Sequence, residues 1–226
     1  MTSVMLDGDV MRIALIVGST RPNRFADHPV KWIQQGAATR ADFELETLDL
    51  RDWPLPFFAE PTPPVFTGGV FTHPLAQLWG QTVAEFDGFI ICTAEYNHGP
   101  PAVLENALDY AMNEWKHKPV SYIGYGSLGA ARAIEQLRLT AIQLRMAPLS
   151  LAVHIGFEAF LGVQSRGRSL DDYPYLIDAR TLMFNQLVWW ARTLAPARAA
   201  HSRATGQNKA ANGVMGSKGQ TADTTV

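Results

Sequence analysis

The strongest constraint on the fold is the segment 12–17 (RIALIV), in which Arg12 is followed by five consecutive apolar residues, 13–17, and then directly by Gly18. A strand with one exposed face alternates apolar and polar residues, so an unbroken run predicts a strand that is buried on both faces. Similar runs recur as DGFIICT (87–93), PVSYIGYG (119–126) and LSLAVHI (149–155). Strands of this kind are typical of parallel sheets that are covered by helices on both sides.

Helical patterns separate these runs. The predicted helices cover residues 25–39, 75–85, 100–115, 127–146 and 179–194. A further strand, 43–50, alternates apolar and polar residues as strands near a sheet edge do. The alternation of strands and helices predicts a three-layer α/β domain over residues 1–195 with a five-stranded parallel sheet. Few large apolar residues follow Pro196, so we expect residues 196–226 to be a disordered tail.

The segment from Trp53 to Pro74 contains six prolines, which predicts a long loop without regular helix or central strand. Its four phenylalanines are Phe57, Phe58, Phe66 and Phe71. They either border a substrate face, in the same or a neighbouring subunit, or anchor the loop to the surface. In residues 104–115, large apolar side chains point to more than one helix face. This pattern predicts a homodimer or homotetramer, or else a helix that is deeply buried within one subunit.

Length, composition, net charge and cysteine count exclude several classes of function. With 226 residues, 47% of them hydrophobic, and a formal net charge of −2, the chain is large enough for one domain and has no long-range attraction for nucleic acid or an anionic membrane. The single cysteine, Cys92, excludes a disulfide framework or a cysteine-based metal cluster within this chain. No apolar run reaches about 18 residues, and the N-terminal sequence lacks a secretion signal. We therefore expect a cytoplasmic protein.

Three unusual loops follow predicted strands, at the edge of the sheet where ligands bind in folds of this class. The first runs from Gly18 to Arg24 and combines backbone N–H groups at a helix start with Ser19, Thr20 and Arg21. These donors favour an anion, most plausibly a phosphate, although an ordinary helix cap with two solvated arginines has the same pattern. The loop matches neither GxxxxGK[ST] nor GxGxxG, the motifs for triphosphates and dinucleotides.

The second loop brings Glu95, Tyr96 and Asn97 together, so that Tyr96 can stack on a flat ligand and the amide can bond a ring edge. Glu95 can instead be a catalytic acid or base, and Asn97 a simple turn residue. The third loop, 124–129, has three glycines in six residues, which allows either close backbone approach to a planar ligand or a plain tight turn. A phosphate beside a flat heterocycle describes a mononucleotide, commonly FMN in a flavodoxin-like sheet.

Taken together, GSTRPNR, AEYNHGPPAVLENALDY and YGSLGAARAIEQLR resemble the NADPH-dependent FMN reductase family, which also includes quinone, azo-dye and chromate reductases. The resemblance extends from about residue 12 to about residue 155. It implies a flavodoxin-like fold, bound FMN and NADPH or NADH as co-substrate. By resemblance, the phosphate is held by Ser19, Arg21 and Arg24, the isoalloxazine is bordered by Glu95, Tyr96 and Asn97, and its other edge is closed by Gly126, Ser127 and Gly129.

The chain departs from the family at four positions. Ala94 stands where the family usually has proline, Glu105 where it has lysine, Tyr110 where it has tryptophan, and Ala130 where it often has a second glycine. The lysine can contribute to subunit contacts in relatives, so its replacement concerns the oligomer more than the flavin site.

The resemblance implies a ping-pong oxidoreductase that passes electrons from NAD(P)H through FMN to a flavin, quinone or similar small acceptor, with no side chain needed as acid or base. Two alternatives are a non-catalytic flavin carrier or redox sensor, and a nucleotide N-glycosidase that uses Glu95.

Overall fold

A parallel sheet separates the helices into two layers in the computed structural model of this chain, which describes residues 10–216. The strands are β1 Met11–Val17, β2 Phe43–Asp49, β3 Gly88–Ala94, β4 Pro119–Tyr125, β5 Ala147–Pro148 and β6 Val153–Ile155. Their order is β2-β1-β3-β4-β5, and β6 also pairs with β4. Because β5 pairs with the start of β4 and β6 with its end, these short strands share the fifth position of the sheet. The predicted flavodoxin-like fold with five parallel strand positions is confirmed.

The helices cover both faces of the sheet. They are α1 Asp27–Ala37, α2 Pro64–Thr67, α3 Pro74–Ala84, α4 Ala102–Asp109, α5 Ala131–Gln143, α6 Phe157–Ser165 and α7 Pro174–Gly216. One core lies against α1, α6 and α7, and the other lies against α3, α4 and α5. Successive residues of β1 alternate between the two cores, with Ile13 in the first and Ala14 in the second. This two-sided burial explains the unbroken apolar run.

Two helices are shorter than predicted. Helix α4 ends at Asp109 rather than near Trp115, because the chain then turns and the Trp115 indole N–H donates to the Leu108 carbonyl at 3.1 Å. Helix α5 begins at Ala131 rather than residue 127, because Gly126, Gly129 and Ala130 all have positive φ angles that a helix cannot contain.

The last helix is longer than predicted and includes a segment expected to be disordered. Helix α7 starts at Pro174 and continues past Pro196 to Gly216, and residues 217–226 lie outside the described part of the chain. The residues just after Pro196 are rich in alanine, which favours helix. They also dock on the sheet, since Arg198 donates to the Asp87 carboxylate at 2.7 Å and to the His117 carbonyl at 3.2 Å. Sequence reasoning also missed α6, which it assigned to a polar, glycine-containing stretch.

The proline-rich segment contains one short helix, α2, where none was predicted. Two of its phenylalanines anchor the segment: the rings of Phe58 and Phe71 lie 5.1 and 5.7 Å from the Tyr110 ring. The other two, Phe57 and Phe66, are 83% and 77% exposed. Among the described helices, none has both the length and the apolar character needed to cross a bilayer.

Candidate functional site

The three loops singled out in the sequence meet at the carboxyl edge of the sheet, because β1, β3 and β4 are parallel neighbours. A cavity of about 390 Å³ opens between them. That volume lies within the usual range for small-molecule sites. Five of the nine predicted cofactor residues line it: Arg21, Arg24, Glu95, Tyr96 and Gly126.

The loop after β1 is packed tightly at its start. The Gly18 N–H donates to the Cys92 carbonyl at 2.9 Å, and a Cβ atom at residue 18 would lie 2.8 Å from Leu104 Cδ2. A larger residue would therefore force the Leu104 side chain to move and would crowd the Cys92 carbonyl, 3.1 Å away. The next residue, Ser19, is 1% exposed, and its hydroxyl lies 3.1 Å from the Tyr96 hydroxyl. Ser19 thus lies beneath the cavity and joins the first loop to the second.

The buried Arg24 supports the loop from within. Its guanidinium donates to Asp27 at 2.8 Å, to Asp49 at 2.7 Å, and to the Ser19 carbonyl. Burial alone raises the pKa of Asp49, but hydrogen bonds from Arg24 and the Arg51 backbone hold that pKa below its ordinary value. Because the donors of Arg24 are committed to protein acceptors, this geometry favours a positioning role over the predicted phosphate contact.

Arg21 is the exposed arginine of this loop. Its guanidinium carbon lies 5.9 Å from the centroid of the Tyr96 ring, and its backbone carbonyl accepts a hydrogen bond of 2.5 Å from Arg51. Within residues 10–216 its guanidinium forms no hydrogen bond or ion pair. Arg21 is therefore available to an anion in the cavity.

The Glu95 carboxylate is tied to the N-terminus of α5. It accepts hydrogen bonds from the Arg132 side chain at 2.6 Å and from the backbone N–H groups of Arg132 and Ala133 at 3.1 and 3.5 Å. Burial acts to raise the pKa of Glu95, but these donors lower it overall. A carboxylate held ionised in this way is a poor proton donor near neutral pH, which argues against the acid role.

The second loop is a tight turn. The Tyr96 and Gly99 backbones exchange two hydrogen bonds of 2.9 Å, while Asn97 and His98 adopt φ angles of 52° and 68°. Positive φ at both central residues is the geometry of a type I′ turn, which asparagine tolerates well. Asn97 is exposed at the tip, outside the cavity lining. The positive φ angle of the turn is therefore sufficient to explain why this position is asparagine.

Only one of the three predicted residues in the third loop reaches the cavity. Gly126 lines it with a φ angle of 130°, a conformation that favours glycine. Gly129 instead packs on His154 of β6, where a Cβ atom would come within 2.8 Å of His154 Cβ. Ser127 is exposed beside the cavity and does not line it.

Sequence reasoning missed several cavity residues. The remaining lining residues are Asn23, Phe25, Ala94, Tyr125, Phe160 and Gln164. Tyr125 ends a predicted strand, so its position at the carboxyl edge was a usable signal. Phe160 and Gln164 belong to α6, whose helix was not recognised. Cys92 has the predicted core position, and burial raises the pKa of its thiol to about 12.

Comparison with known proteins decides the family. The sequence pattern of NADPH-dependent FMN reductases matches residues 11–159, more than half of the chain. The chain belongs to the NADPH-dependent FMN reductase family. It is an oxidoreductase of this family, and the recognition made from the three motifs is confirmed.

Individual proteins show similarity in sequence or in fold. An NAD(P)H-dependent FMN reductase of Schizosaccharomyces pombe is 36% identical over 139 residues, which are 61% of this chain and 70% of that protein. A 2-hydroxy-1,4-benzoquinone reductase of a Burkholderia species is 33% identical over 137 residues, 57% of this chain and 68% of that protein. The flavoenzyme FerB of Paracoccus denitrificans has the same fold, with a TM-score of 0.63, 23% identity, and coverage of 82% of this chain and 99% of FerB.

The first prediction concerns Glu95 as a helix anchor. Glu95→Gln removes the charge that faces the α5 N-terminus and Arg132, so the free energy of unfolding falls by about 1–2 kcal/mol near neutral pH. Since the folded pKa of Glu95 is lowered, its contribution is present above the ordinary carboxyl pKa and is lost as pH falls through the folded value. Urea unfolding at about pH 7 and about pH 3 measures both effects.

The matched control is Glu135→Gln on the same helix. Glu135 forms an exposed ion pair with Arg138, which contributes little to stability. An equal loss in both variants, or a Glu95 effect that does not change with pH, would contradict the anchoring role.

Proposed function

We propose that this chain binds FMN at the carboxyl edge of its sheet, accepts a hydride from NADPH or NADH, and reduces a flavin, quinone or similar small acceptor by a ping-pong mechanism. The observation that carries the proposal is the uncommitted Arg21 guanidinium beside a cavity that borders Tyr96 and Gly126. An arginine and loop N–H groups at a strand end suit a monophosphate, and the aromatic and glycine residues suit a flat ring.

The donor set fits FMN. The loop between β1 and α1 offers the Arg21 guanidinium at the cavity mouth and the Ser19 hydroxyl beneath it. Residues 124–129 (GYGSLG) match the spacing GxGxxG, but Gly124 packs against Gly129 and Ala130, Gly129 packs on His154, and only Gly126 lines the cavity. The arginine and hydroxyl donors for an anion lie on the loop after β1, so the arrangement suits a terminal monophosphate better than the pyrophosphate of FAD. Arg21 would hold the phosphate, and Tyr96, Glu95 and Gly126 would border the rest of the ligand.

When bound, FMN supplies the hydride-accepting and electron-donating chemistry. The residues of this chain bind and orient. Arg24 fixes the loop that presents Arg21, and Glu95 fixes α5 against the second loop. The one loop with GxGxxG spacing, 124–129, borders the proposed flavin cavity through Gly126, so a nicotinamide has no separate loop. We therefore expect it to bind briefly over the flavin, and the acceptor to use the same open face. This sharing of one face is the reason for a ping-pong order.

The two alternatives are less well supported. A non-catalytic carrier would share the loops, but family membership places the chain among oxidoreductases. An N-glycosidase requires Glu95 as a reactive carboxylate, whereas Glu95 is held by Arg132 and the α5 backbone.

The proposed function is tested on the purified protein. We expect a visible flavin spectrum, release of FMN on heating as identified by mass, steady oxidation of NADPH or NADH with a quinone or free flavin, and parallel lines in double-reciprocal plots. Bound FAD would contradict the cofactor assignment. Flavin binding without steady turnover would support the carrier, and release of a base from a nucleotide would support the glycosidase.

Arg21→Ala tests the phosphate contact. A charge-assisted hydrogen bond contributes roughly 1.5–3 kcal/mol, so FMN should bind roughly ten- to a hundredfold more weakly. Riboflavin lacks the phosphate and should bind nearly as before. Fluorescence quenching with apoprotein measures both ligands, and Arg166→Ala, which removes a charge from the surface of α6, serves as the control. Equal losses for FMN and riboflavin, or no loss for FMN, would exclude Arg21 as the phosphate contact.

The oligomeric state stays a prediction. The apolar residues of 104–115 that suggested it are buried within one subunit, as the alternative held. Support now comes from Phe57 and Phe66, which are exposed in the proline-rich segment. Phe57 also borders a depression of about 600 Å³ beside Glu105 and Asp109, where burial and the neighbouring Asp109 raise the pKa of Glu105.

We propose a homodimer or homotetramer that covers this apolar surface. Light scattering at micromolar concentration should give a multiple of the 24.9 kDa chain mass. Phe57→Ser should shift the mass towards the monomer because it removes exposed apolar area. A monomeric wild-type protein would reject the proposal. A cytoplasmic location, expected from cysteine usage, likewise stays a prediction.

A further inference from the structure

The floor of the cavity contains a buried hydroxyl with no partner. Tyr125, the last residue of β4, is 6% exposed, and its hydroxyl has no hydrogen-bond partner among the described residues. The nearby Ser19 hydroxyl is a weak hydrogen-bonding neighbour that acts to lower the pKa of the Tyr125 phenol, but the two oxygens do not reach the geometry of a formed hydrogen bond, and the Ser19 hydroxyl pairs with the Tyr96 hydroxyl at 3.1 Å. Buried polar groups in folded proteins almost always have partners, so an orphan in a cavity wall requires an explanation.

The hydroxyl cannot move to find a partner within the protein. The Tyr125 ring lies 5.2 Å from the Phe25 ring, and Phe25 in turn lies 4.5 Å from Phe160 of α6. Both phenylalanines line the same cavity. This aromatic row fixes the ring, and therefore the position of the oxygen at its end.

The hydroxyl lies towards the anion loop. Tyr125 is on β4 and Ser19 follows β1, with β3 between them, so the two strands are two spacings, about 9.6 Å, apart and the side chain points across β3 towards the first loop. At its far end the nearby groups are Cys92 of β3, Ser19, Tyr96 and Arg24. Burial raises the pKa of the Tyr125 phenol, so it stays protonated and can donate a hydrogen bond at physiological pH.

The geometry points to Tyr125 as a further ligand-binding residue, whose hydroxyl donates a hydrogen bond to a phosphate oxygen of the bound nucleotide beside Ser19. This inference rests on the proposed function. It extends the anion site from the loop surface, where Arg21 lies, to the buried end of the cavity. Tyr125 would then satisfy its own hydroxyl only when the ligand is present.

A residue of this kind has a distinctive thermodynamic signature. In the ligand-free protein the buried hydroxyl has lost its water without gaining a partner, which costs stability. Tyr125→Phe keeps the ring and its contact with Phe25 while it removes the orphan group. The substitution should therefore stabilise the apoprotein and lower its affinity for FMN. A residue with only a structural role would not show both effects.

The test compares wild-type and Tyr125→Phe apoprotein by thermal unfolding and by fluorescence titration with FMN and riboflavin. We expect the apoprotein Tm to rise by about 2–4 °C. We also expect FMN to bind roughly tenfold more weakly, about 1.4 kcal/mol, while riboflavin binding changes less than about twofold.

Tyr122→Phe is the matched control on the same strand. Tyr122 is fully buried, but its hydroxyl donates to the Leu137 carbonyl at 3.4 Å, away from the cavity. This variant should not gain stability and should bind FMN like the wild type.

The outcomes separate the two proposals. Wild-type protein that binds no FMN would reject the proposed function and this inference with it. Wild-type binding with an unchanged FMN affinity in Tyr125→Phe, or with equal losses for FMN and riboflavin, would overturn the Tyr125 contact alone. A lowered apoprotein Tm in Tyr125→Phe would also overturn it, since the hydroxyl would then have a stabilising partner in the free protein.

Discussion

The buried guanidinium of Arg24 is the interaction on which the site depends. It joins the carbonyl of Ser19 in the first loop, Asp27 at the start of α1 and Asp49 at the end of β2. A buried charge is costly unless it is paired and fully hydrogen-bonded, so each partner is needed once the arginine is inside. The loop therefore has one conformation, in which Ser19 faces Tyr96 and Arg21 stays outside. The parallel strands place the first loop at the carboxyl edge of the sheet, and the hydrogen bonds of Arg24 stabilise the conformation of that loop.

The central strands were predictable because consecutive apolar residues indicate a strand that is buried on both faces. The run 13–17 contacts one core with its odd positions and the other with its even positions, and no distant information is needed to recognise it. The helix ends were less predictable because tertiary contacts set them. Arg198 docks α7 on Asp87, which lies 111 residues earlier, and no local pattern around Pro196 reveals that contact.

The site shows the same division between local and distant causes. The sequence placed the three loops at one edge, and their residue types indicated an anion and a flat ring. It did not separate the roles of Arg21 and Arg24, because the difference lies in Asp49, which is 25 residues further along the chain. From the sequence alone, Glu95 is likewise a candidate acid or base. In the fold its carboxylate accepts a hydrogen bond from Arg132 of α5. Pairing in three dimensions, rather than residue type, decides which charge faces the ligand.

This pairing also makes the carboxylates of the site respond to pH differently from a bound phosphate. Asp49 and Glu95 support the loops, and their pKa values lie below the ordinary carboxyl values, so both stay ionised well into the acidic range. A phosphate monoester takes up its second proton near pH 6. As the pH falls from about 7 to about 5, the charge of a phosphate ligand therefore changes while these two carboxylates, whose pKa values lie below the ordinary ones, stay ionised. Arg21, which has no hydrogen-bond or ion-pair partner among the described side chains, is therefore the protein charge whose interaction with the phosphate weakens as the phosphate takes up that proton.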